Sequence, residues 1–243
     1  MNITLTSSNY ATLNFYDERK RNLLLIFPGG GYAYTSKREA EPIAKCFGSD
    51  GYHTAIYYYR ETKLIFPDNI KEGQELLQIL KSHPLVKRIF VIGFSAGGHF
   101  AASLAISQSS IVKASILAYP VITPNIRYRH SVSFLNLLGD DLSPRRLDEV
   151  SLEKHVHAKM GPVFLFHTMD DNIVPVENSM IFLGMLRTKG VKAEAHFFPS
   201  GRHGVSIATP EVTFDDMNPS DFEREYGHLQ VWVSLAKAWL NGI

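Results

Sequence analysis

Gly93-Phe94-Ser95-Ala96-Gly97 follows directly on an apolar run, Arg88–Ile92, and leads into a helical stretch of small residues beginning near Gly98. A serine on a sharp strand-to-helix turn is presented for attack, and glycines two before and two after it leave room for backbones that a Cβ would strike. The helix N-terminus behind Ser95 favours negative charge developing at a reacting centre. Such a nucleophile needs a base and an acid. His203 lies between Gly201 and Gly204 in the loop after Ala193–Phe198, where an imidazole is accessible and can be oriented by a carboxylate. Two carboxylates, Asp170 and Asp171, compete for the third role in the loop after Val163–His167.

Pro28-Gly29-Gly30-Gly31-Tyr32 closes another apolar run, Leu23–Phe27. Glycines there let backbone amides turn towards an oxygen, so Gly30 and Gly31, with the amide of Ala96, are the candidate donors to an oxyanion. The alternative is a phosphate-binding turn, but the run lacks the Gly-Lys-Ser/Thr ending of a P-loop and the spaced glycines of a dinucleotide fingerprint. The other histidines fit the base's role less well. His196 falls inside a strand, His228 opens the final helix, and His99, on the helix after Ser95, reads as packing or support. His155 and His157 are two apart, but no carboxylate or cysteine pattern joins them, so no metal is expected.

The elements that must position these residues alternate along the chain. Strands are predicted at Asn22–Phe27, His53–Tyr59, Arg88–Ile92, Ala114–Tyr119, Val163–His167 and Ala193–Phe198, each nearly all apolar, as strands buried on both faces are. Helices with three- and four-residue apolar spacing are predicted at Glu39–Ser49, Asn69–Ser82, Gly98–Ser107, Glu177–Lys189 and Gln230–Asn241, with Gly190 and Gly242 placed as C-terminal caps. Ile3–Thr6 and Ala11–Tyr16 are expected as antiparallel edge strands. The alternation describes an α/β fold with a mostly parallel sheet covered by helices on both faces. Residues 122–160 break the rhythm and are expected to form a small cap. Ser206–Tyr226, acidic and holding Pro210 and Pro219, reads as a surface loop and a candidate lid.

A length of 243 residues and 45% hydrophobic content suit a single domain spanning 1–243. Lys+Arg 25 against Asp+Glu 24, with no basic run, offers nothing to nucleic acid or anionic lipid, and leaves a small neutral molecule as the fitting partner. The apolar runs fall short of a membrane span, and Met1–Tyr10, with no basic start leading into an apolar stretch, is not expected to act as a secretory signal. Cys46 is the only cysteine, so no intrachain disulfide can form, and the reading is a cytoplasmic protein whose oligomeric state the sequence leaves open.

Taken together, these motifs resemble the α/β-hydrolase fold, in its acetyl-xylan-esterase-like branch, related to the hormone-sensitive-lipase-type carboxylesterases. The resemblance runs from about Asn22 onward. It rests on the glycine run at 28–32, Ser-Lys-Arg-Glu-Ala-Glu-Pro-Ile-Ala at 36–44, Gly-Phe-Ser-Ala-Gly-Gly at 93–98, Tyr-Pro-Val-Ile-Thr at 119–123, Asn-Leu-Leu-Gly at 136–139, Val-Pro-Val-Glu-Asn-Ser after Asp171, and Gly-Arg-His-Gly at 201–204. The fold implies the chain order serine, acid, histidine, and the acid three residues before Val174-Pro175, which favours Asp171 over Asp170. The resemblance implies hydrolysis of short acyl esters, often acetyl groups on sugars, without a cofactor. It departs from the carboxylesterases at Pro28, where they carry a histidine. Tyr32, Phe94 and Tyr119 are candidates for the pocket wall, packing being the alternative. Two rivals stand beside the esterase: a peptidase using the same triad, and an inactive ligand-binding relative, which the presence of all three triad residues disfavours.

Overall fold

The computed structural model describes all 243 residues. Eight strands form one continuous sheet: β1 Asn2–Thr4, β2 Tyr10–Asn14, β3 Arg21–Phe27, β4 His53–Tyr58, β5 Val86–Phe94, β6 Val112–Ala118, β7 Val163–Thr168 and β8 Ala193–Phe198. Their spatial order is β1-β2-β4-β3-β5-β6-β7-β8. From β4 to β8 every pairing is parallel, and β1 and β2 add an antiparallel edge.

The helices are α1 Glu41–Gly48, α2 Asp68–Ser82, α3 Ala96–Ser107, α4 Ser131–Leu138, α5 Pro144–Glu149, α6 Leu152–His155, α7 Glu177–Thr188, α8 Pro219–Tyr226 and α9 Val231–Asn241. None is long and apolar enough to cross a membrane. Side-chain alternation along β3 divides the core. Leu23, Leu25 and Phe27 pack with α2, α3 and α7 on one face, whereas Leu24 and Ile26 pack with α1, α8 and α9 on the other. Both faces are covered from β3 to β7, which is why those parallel strands carry nearly continuous apolar runs, whereas β8, with Glu194 and His196 at the sheet's edge, is only partly buried.

Chain order and spatial order diverge between β3 and β5. The connection from β3 goes to β4 on one side, and the chain then crosses back to lay β5 on the other. In open parallel sheets the crevice outside the strands' carboxyl ends at such a switch is where ligands bind. Here the glycine run leaves β3 and Ser95 leaves β5, so they flank that crevice.

Several boundaries and one assignment differ from the sequence reading. The helix expected at Glu39–Ser49 is broken at Ala40 (φ −108°, ψ −99°), with a 3-10 turn at Lys37–Glu39 before α1. Pro42 has no N–H to donate to the carbonyl four residues earlier, so an unbroken helix through Arg38 is not available. Gly190 is left-handed (φ 71°), as a C-terminal cap requires, but Gly242 (φ −86°) is not.

Ser206–Tyr226 is not a loose surface loop. Ile207, Ala208, Val212, Phe214, Phe222 and Tyr226 are buried in it. The rings of Phe214, Phe222 and Tyr226 form a triangle with centroids 5.2 to 5.7 Å apart. Residues 122–160 contain α4, α5 and α6, and α4 lies against the glycine run, with Asn136 Nδ2 donating to Gly31 O at 2.9 Å.

Candidate active site

β5 ends in a turn that only small neighbours permit. Ser95 adopts φ 52°, ψ −119° and is followed at once by α3. A Cβ on Gly93 would lie 2.4 Å from Gly97 O, and one on Gly97 would lie 2.1 Å from Phe27 O. Both approaches are impossible for a side chain, so the two glycines are what let strand, helix and β3 close up behind the serine. Strain at Ser95 is held by its own backbone: its N–H donates to Ala118 O at 3.0 Å, and its carbonyl accepts from Val121 and His99.

His203 bridges to the other two predicted residues. Its Nδ1 stands 2.6 Å from Asp171 Oδ2, and its Nε2 stands 2.9 Å from Ser95 Oγ. With Nδ1–H donating to the carboxylate, Nε2 carries the lone pair that faces the serine hydroxyl. The Asp171 carboxylate is sealed from solvent, and the His203 side chain is 14% exposed. Oδ1 of Asp171 accepts the N–H groups of Ile173 and Val174, both at 2.9 Å. Burial alone would raise this carboxyl's pKa. Hydrogen bonds from His167 and His203, the nearby His203 charge and the Val174 amide outweigh burial and hold it well below the usual carboxylate range.

Asp170, the competing carboxylate, is exposed and turned elsewhere. Its Oδ1 accepts Gly201 N–H at 2.8 Å, tying the loop after β7 to the loop that carries His203.

The amides of Gly30, Gly31 and Ala96 have no acceptor within the protein. Gly30 (φ 120°) and Gly31 (φ 62°) are in conformations that glycine adopts freely, and a Cβ on Gly30 would meet Tyr34 O at 2.2 Å. Pro28 uses its carbonyl to accept the Tyr59 hydroxyl proton. A cavity of about 660 Å³ opens on Gly30, Gly31, Ser95 and His203. Tyr34, His130, Val132 and Ile173 face it from surrounding loops and from α4.

Tyr32, Phe94 and Tyr119 are not on that wall. They are at most 2% exposed and belong to the core. Tyr32 Oη bonds His99 Nδ1 at 2.9 Å, Tyr119 Oη bonds Glu39 Oε1 at 2.6 Å, and Phe94 packs on Trp232. Adjacency to the glycines and the serine along the chain does not set which way a side chain points. His99, with Nε2 on Val150 O at 3.0 Å, is neutral: burial pushes its pKa down to about 4 against the opposing hydrogen bond.

Residues that the sequence reading did not single out also belong here. His130 bonds Ser133 Oγ through Nδ1 at 2.7 Å, and burial, with His203 nearby, lowers its pKa. His167 at the end of β7 stands behind Asp171, 3.3 Å from its Oδ2, with Nε2 donating to Val174 O at 2.9 Å. A polar residue within an otherwise apolar strand was its only signal.

A parallel sheet that carries a serine after β5, an aspartate after β7 and a histidine after β8, with a glycine run after β3, defines an α/β hydrolase. Residues 50–218 match the prolyl oligopeptidase family, Peptidase_S9, and the chain belongs to that family. It is 32% identical over 217 residues to endo-1,4-beta-xylanase B of Butyrivibrio fibrisolvens, covering 80% of this chain and 34% of that protein. It is 25% identical over 224 residues to an acetylxylan esterase of Xylanibacter ruminicola, covering 82% and 46%. The chain thus spans between a third and a half of the length of these curated relatives. Among solved structures, the acetyl ester-xyloside bifunctional hydrolase of Caldicellulosiruptor lactoaceticus superposes with a TM-score of 0.82 at 29% identity, covering 97% of this chain and 88% of that one.

Proposed function

We propose that the protein is a serine esterase that hydrolyses short acyl esters, acetyl groups on sugars among them, with Ser95 as nucleophile, His203 as base and Asp171 as orienting acid. The observation that carries this reading is the placing of His203 between Asp171 Oδ2 at 2.6 Å and Ser95 Oγ at 2.9 Å. Ser95 Oγ attacks the ester carbonyl while Nε2 of His203 takes its proton, and Asp171 stabilises the imidazolium that forms. The new oxyanion is held by the free amides of Gly30, Gly31 and Ala96. Nε2–H then protonates the departing alcohol, leaving an acyl-serine. A water molecule, deprotonated by the same nitrogen, releases the acid and restores the serine.

The sugar component of the reading is supported by the two relatives named for xylan chemistry and by the acetyl ester-xyloside hydrolase. Residues 122–160, through α4, serve as a small cap at the mouth of the cavity, within a single domain. The lone, unpaired Cys46 supports a cytoplasmic setting. The family match makes peptide hydrolysis the second reading, since the same triad cleaves amides.

The deciding experiment is turnover of p-nitrophenyl acetate, a peracetylated xylo-oligosaccharide and a proline-containing p-nitroanilide by wild type and Ser95→Ala. Ester turnover with acetate release, lost by a factor of about 10⁶ in Ser95→Ala, is the expected result. Anilide cleavage exceeding ester cleavage would favour the peptidase. Near-wild-type turnover in Ser95→Ala would remove the assignment altogether.

A further inference from the structure

The motif at 36–44 has no part in the proposed chemistry, yet it places a carboxylate in the core beside the nucleophile. Glu39 is 4% exposed. Its Oε2 accepts Gly29 N–H at 2.8 Å, and its Oε1 accepts the Tyr119 hydroxyl proton at 2.6 Å. Tyr119 Oη in turn accepts Ser206 N–H at 3.0 Å. Gly29 begins the glycine run that supplies the Gly30 and Gly31 amides, and Ser206 follows closely on His203. A buried chain of hydrogen bonds therefore joins the two loops that the proposed reaction needs to act on one substrate carbonyl.

We infer that Glu39 is a positioning residue that holds the oxyanion loop and the histidine loop in register through Gly29, Tyr119 and Ser206. This inference rests on the esterase reading above. Two features beyond the chain itself support it. Tyr119 (φ 39°) and Ser206 (φ 54°) both sit in backbone conformations that side chains disfavour, and such conformations persist only where surrounding bonds over-determine them. The neighbouring Arg38 grips the same loop on either side. Its guanidinium donates to Gly204 O and Val212 O, and its own carbonyl accepts the Ser206 hydroxyl proton at 2.7 Å.

The geometry leaves little slack. A Cβ on Gly29 would lie 2.7 Å from Glu39 Oε2 and 3.2 Å from Ser95 Cβ, so carboxylate, glycine loop and serine are packed against one another. The Tyr119 ring also packs edge-on against the His203 ring, with centroids 5.0 Å apart. An isolated carboxylate is costly to bury, and this one is retained where each oxygen receives a donor from a different part of the site. A shift of about 1 Å between amides and imidazole is enough to lose about a hundredfold in rate.

The test compares Tyr119→Phe, Glu39→Ala and Glu39→Gln with wild type on p-nitrophenyl acetate, with active sites counted by a fluorophosphonate probe and folding followed by thermal melting. In Tyr119→Phe and Glu39→Ala, kcat per titrated site should fall about ten- to a hundredfold with KM changed less than about threefold, as for loss of transition-state alignment. Affinity for phenylboronic acid, a mimic of the tetrahedral adduct, should fall by the same factor. Glu39→Gln, whose amide oxygen can still receive Gly29 N–H, should recover part of the loss. The Tyr119→Phe, Glu39→Ala double variant should be no worse than the poorer single, because both cut one chain.

If Glu39→Ala fails to fold, Tyr119→Phe decides, since it removes one oxygen and keeps the ring. Folded Tyr119→Phe with kcat per site within twofold of wild type overturns the inference, and so does a loss confined to KM. A wild type that neither hydrolyses esters nor reacts with the probe overturns the esterase reading and this inference with it.

Discussion

His167 Nε2 lies 3.3 Å from Oδ2 of Asp171, and both side chains are shut off from solvent. The carboxylate that faces His203 is thus braced from within the fold by a second imidazole, itself fixed by Ser179 Oγ at 2.8 Å and Val174 O at 2.9 Å. Asp171→Asn should therefore do its damage through His203. An amide in that position can present N–H to Nδ1, favouring the wrong tautomer and a misaligned Nε2, and kcat should drop by about 10⁴. Asp170→Asn loses only charge on the bond to Gly201 N–H and should cost no more than about tenfold. Steady-state kinetics of the two folded variants distinguish them; a reversed order would move the acid to Asp170.

His99 sets an acid-side limit on stability. Its pKa falls from 6.5 unfolded to about 4 in the fold, so between those values the unfolded chain binds a proton that the folded one refuses. Stability is then lost as pH falls from 6.5 to 4, and at about 1.4 kcal/mol per unit this amounts to about 3 kcal/mol. His99→Gln should flatten the plot of unfolding free energy against pH in that window, whatever its effect at neutral pH. An unchanged slope would mean that His99 takes up its proton at the same pH in the folded and unfolded chain.

Asp171 acts in a lower window. Its folded pKa is depressed below the ordinary 3.8, so its stabilisation is complete above that value and drains away as pH drops further. Asp171→Asn should close the gap to wild type in denaturant melts only below about pH 4. A difference that persisted unchanged at pH 2.5 would assign the stabilisation to packing rather than to charge.

Acyl-chain preference follows from the cavity. It is lined by glycines, Ser36, Asn172, Arg38 and Arg202 as well as by apolar groups, and it opens to solvent. A long chain lying there gains little of the ~0.8 kcal/mol per methylene that full burial would provide. We predict that kcat/KM across p-nitrophenyl esters peaks between acetyl and butyryl and declines beyond. A maximum at octanoyl or longer would mean that a buried apolar tunnel, and not the open cavity, takes the acyl chain.

The parts of the fold that were legible in the sequence are those written locally. Strand runs such as Leu23–Phe27 and Ala193–Phe198 carry their period in adjacent residues, and Gly93 and Gly97 mark a tight turn around Ser95 because a strand precedes them and a helix follows. Asp171 is preferred to Asp170 through the fold resemblance, which sets the acid three residues before Val174-Pro175, and the structure turns only Asp171 towards His203. What could not be read is long-range. Phe214, Phe222 and Tyr226 are scattered among Pro, Asp and Asn, and their common burial appears only when α8 folds over the sheet. Glu39 resembles any helix-surface glutamate until Pro42 breaks the helix and turns it inward. For Tyr32, Phe94 and Tyr119 the packing alternative holds: at Tyr32 and Tyr119 the side chain's direction depends on a left-handed backbone that adjacency in sequence does not reveal, and Phe94 ends β5 within the core.

The histidine loop leaves β8, the outermost strand of the sheet, which is only partly buried along its length and pairs on one side alone. Ser95, by contrast, leaves β5, flanked by β3 and β6 and almost wholly buried. Opening free energies differ within one native structure, and an edge frays at lower cost than a centre. The proposed base thus follows the sheet's margin and the proposed nucleophile its centre, although the bonds from Arg38 and Tyr119 tie the histidine loop inward beyond that margin. Under rising urea the imidazole should swing out of reach while the serine turn is intact. Hydrolytic activity should then disappear before circular dichroism records unfolding, with the fluorescence of Trp232, whose Nε1 donates to Ser206 O in the same loop, following the activity, and it should return promptly on dilution, since only the margin of the sheet has to close again.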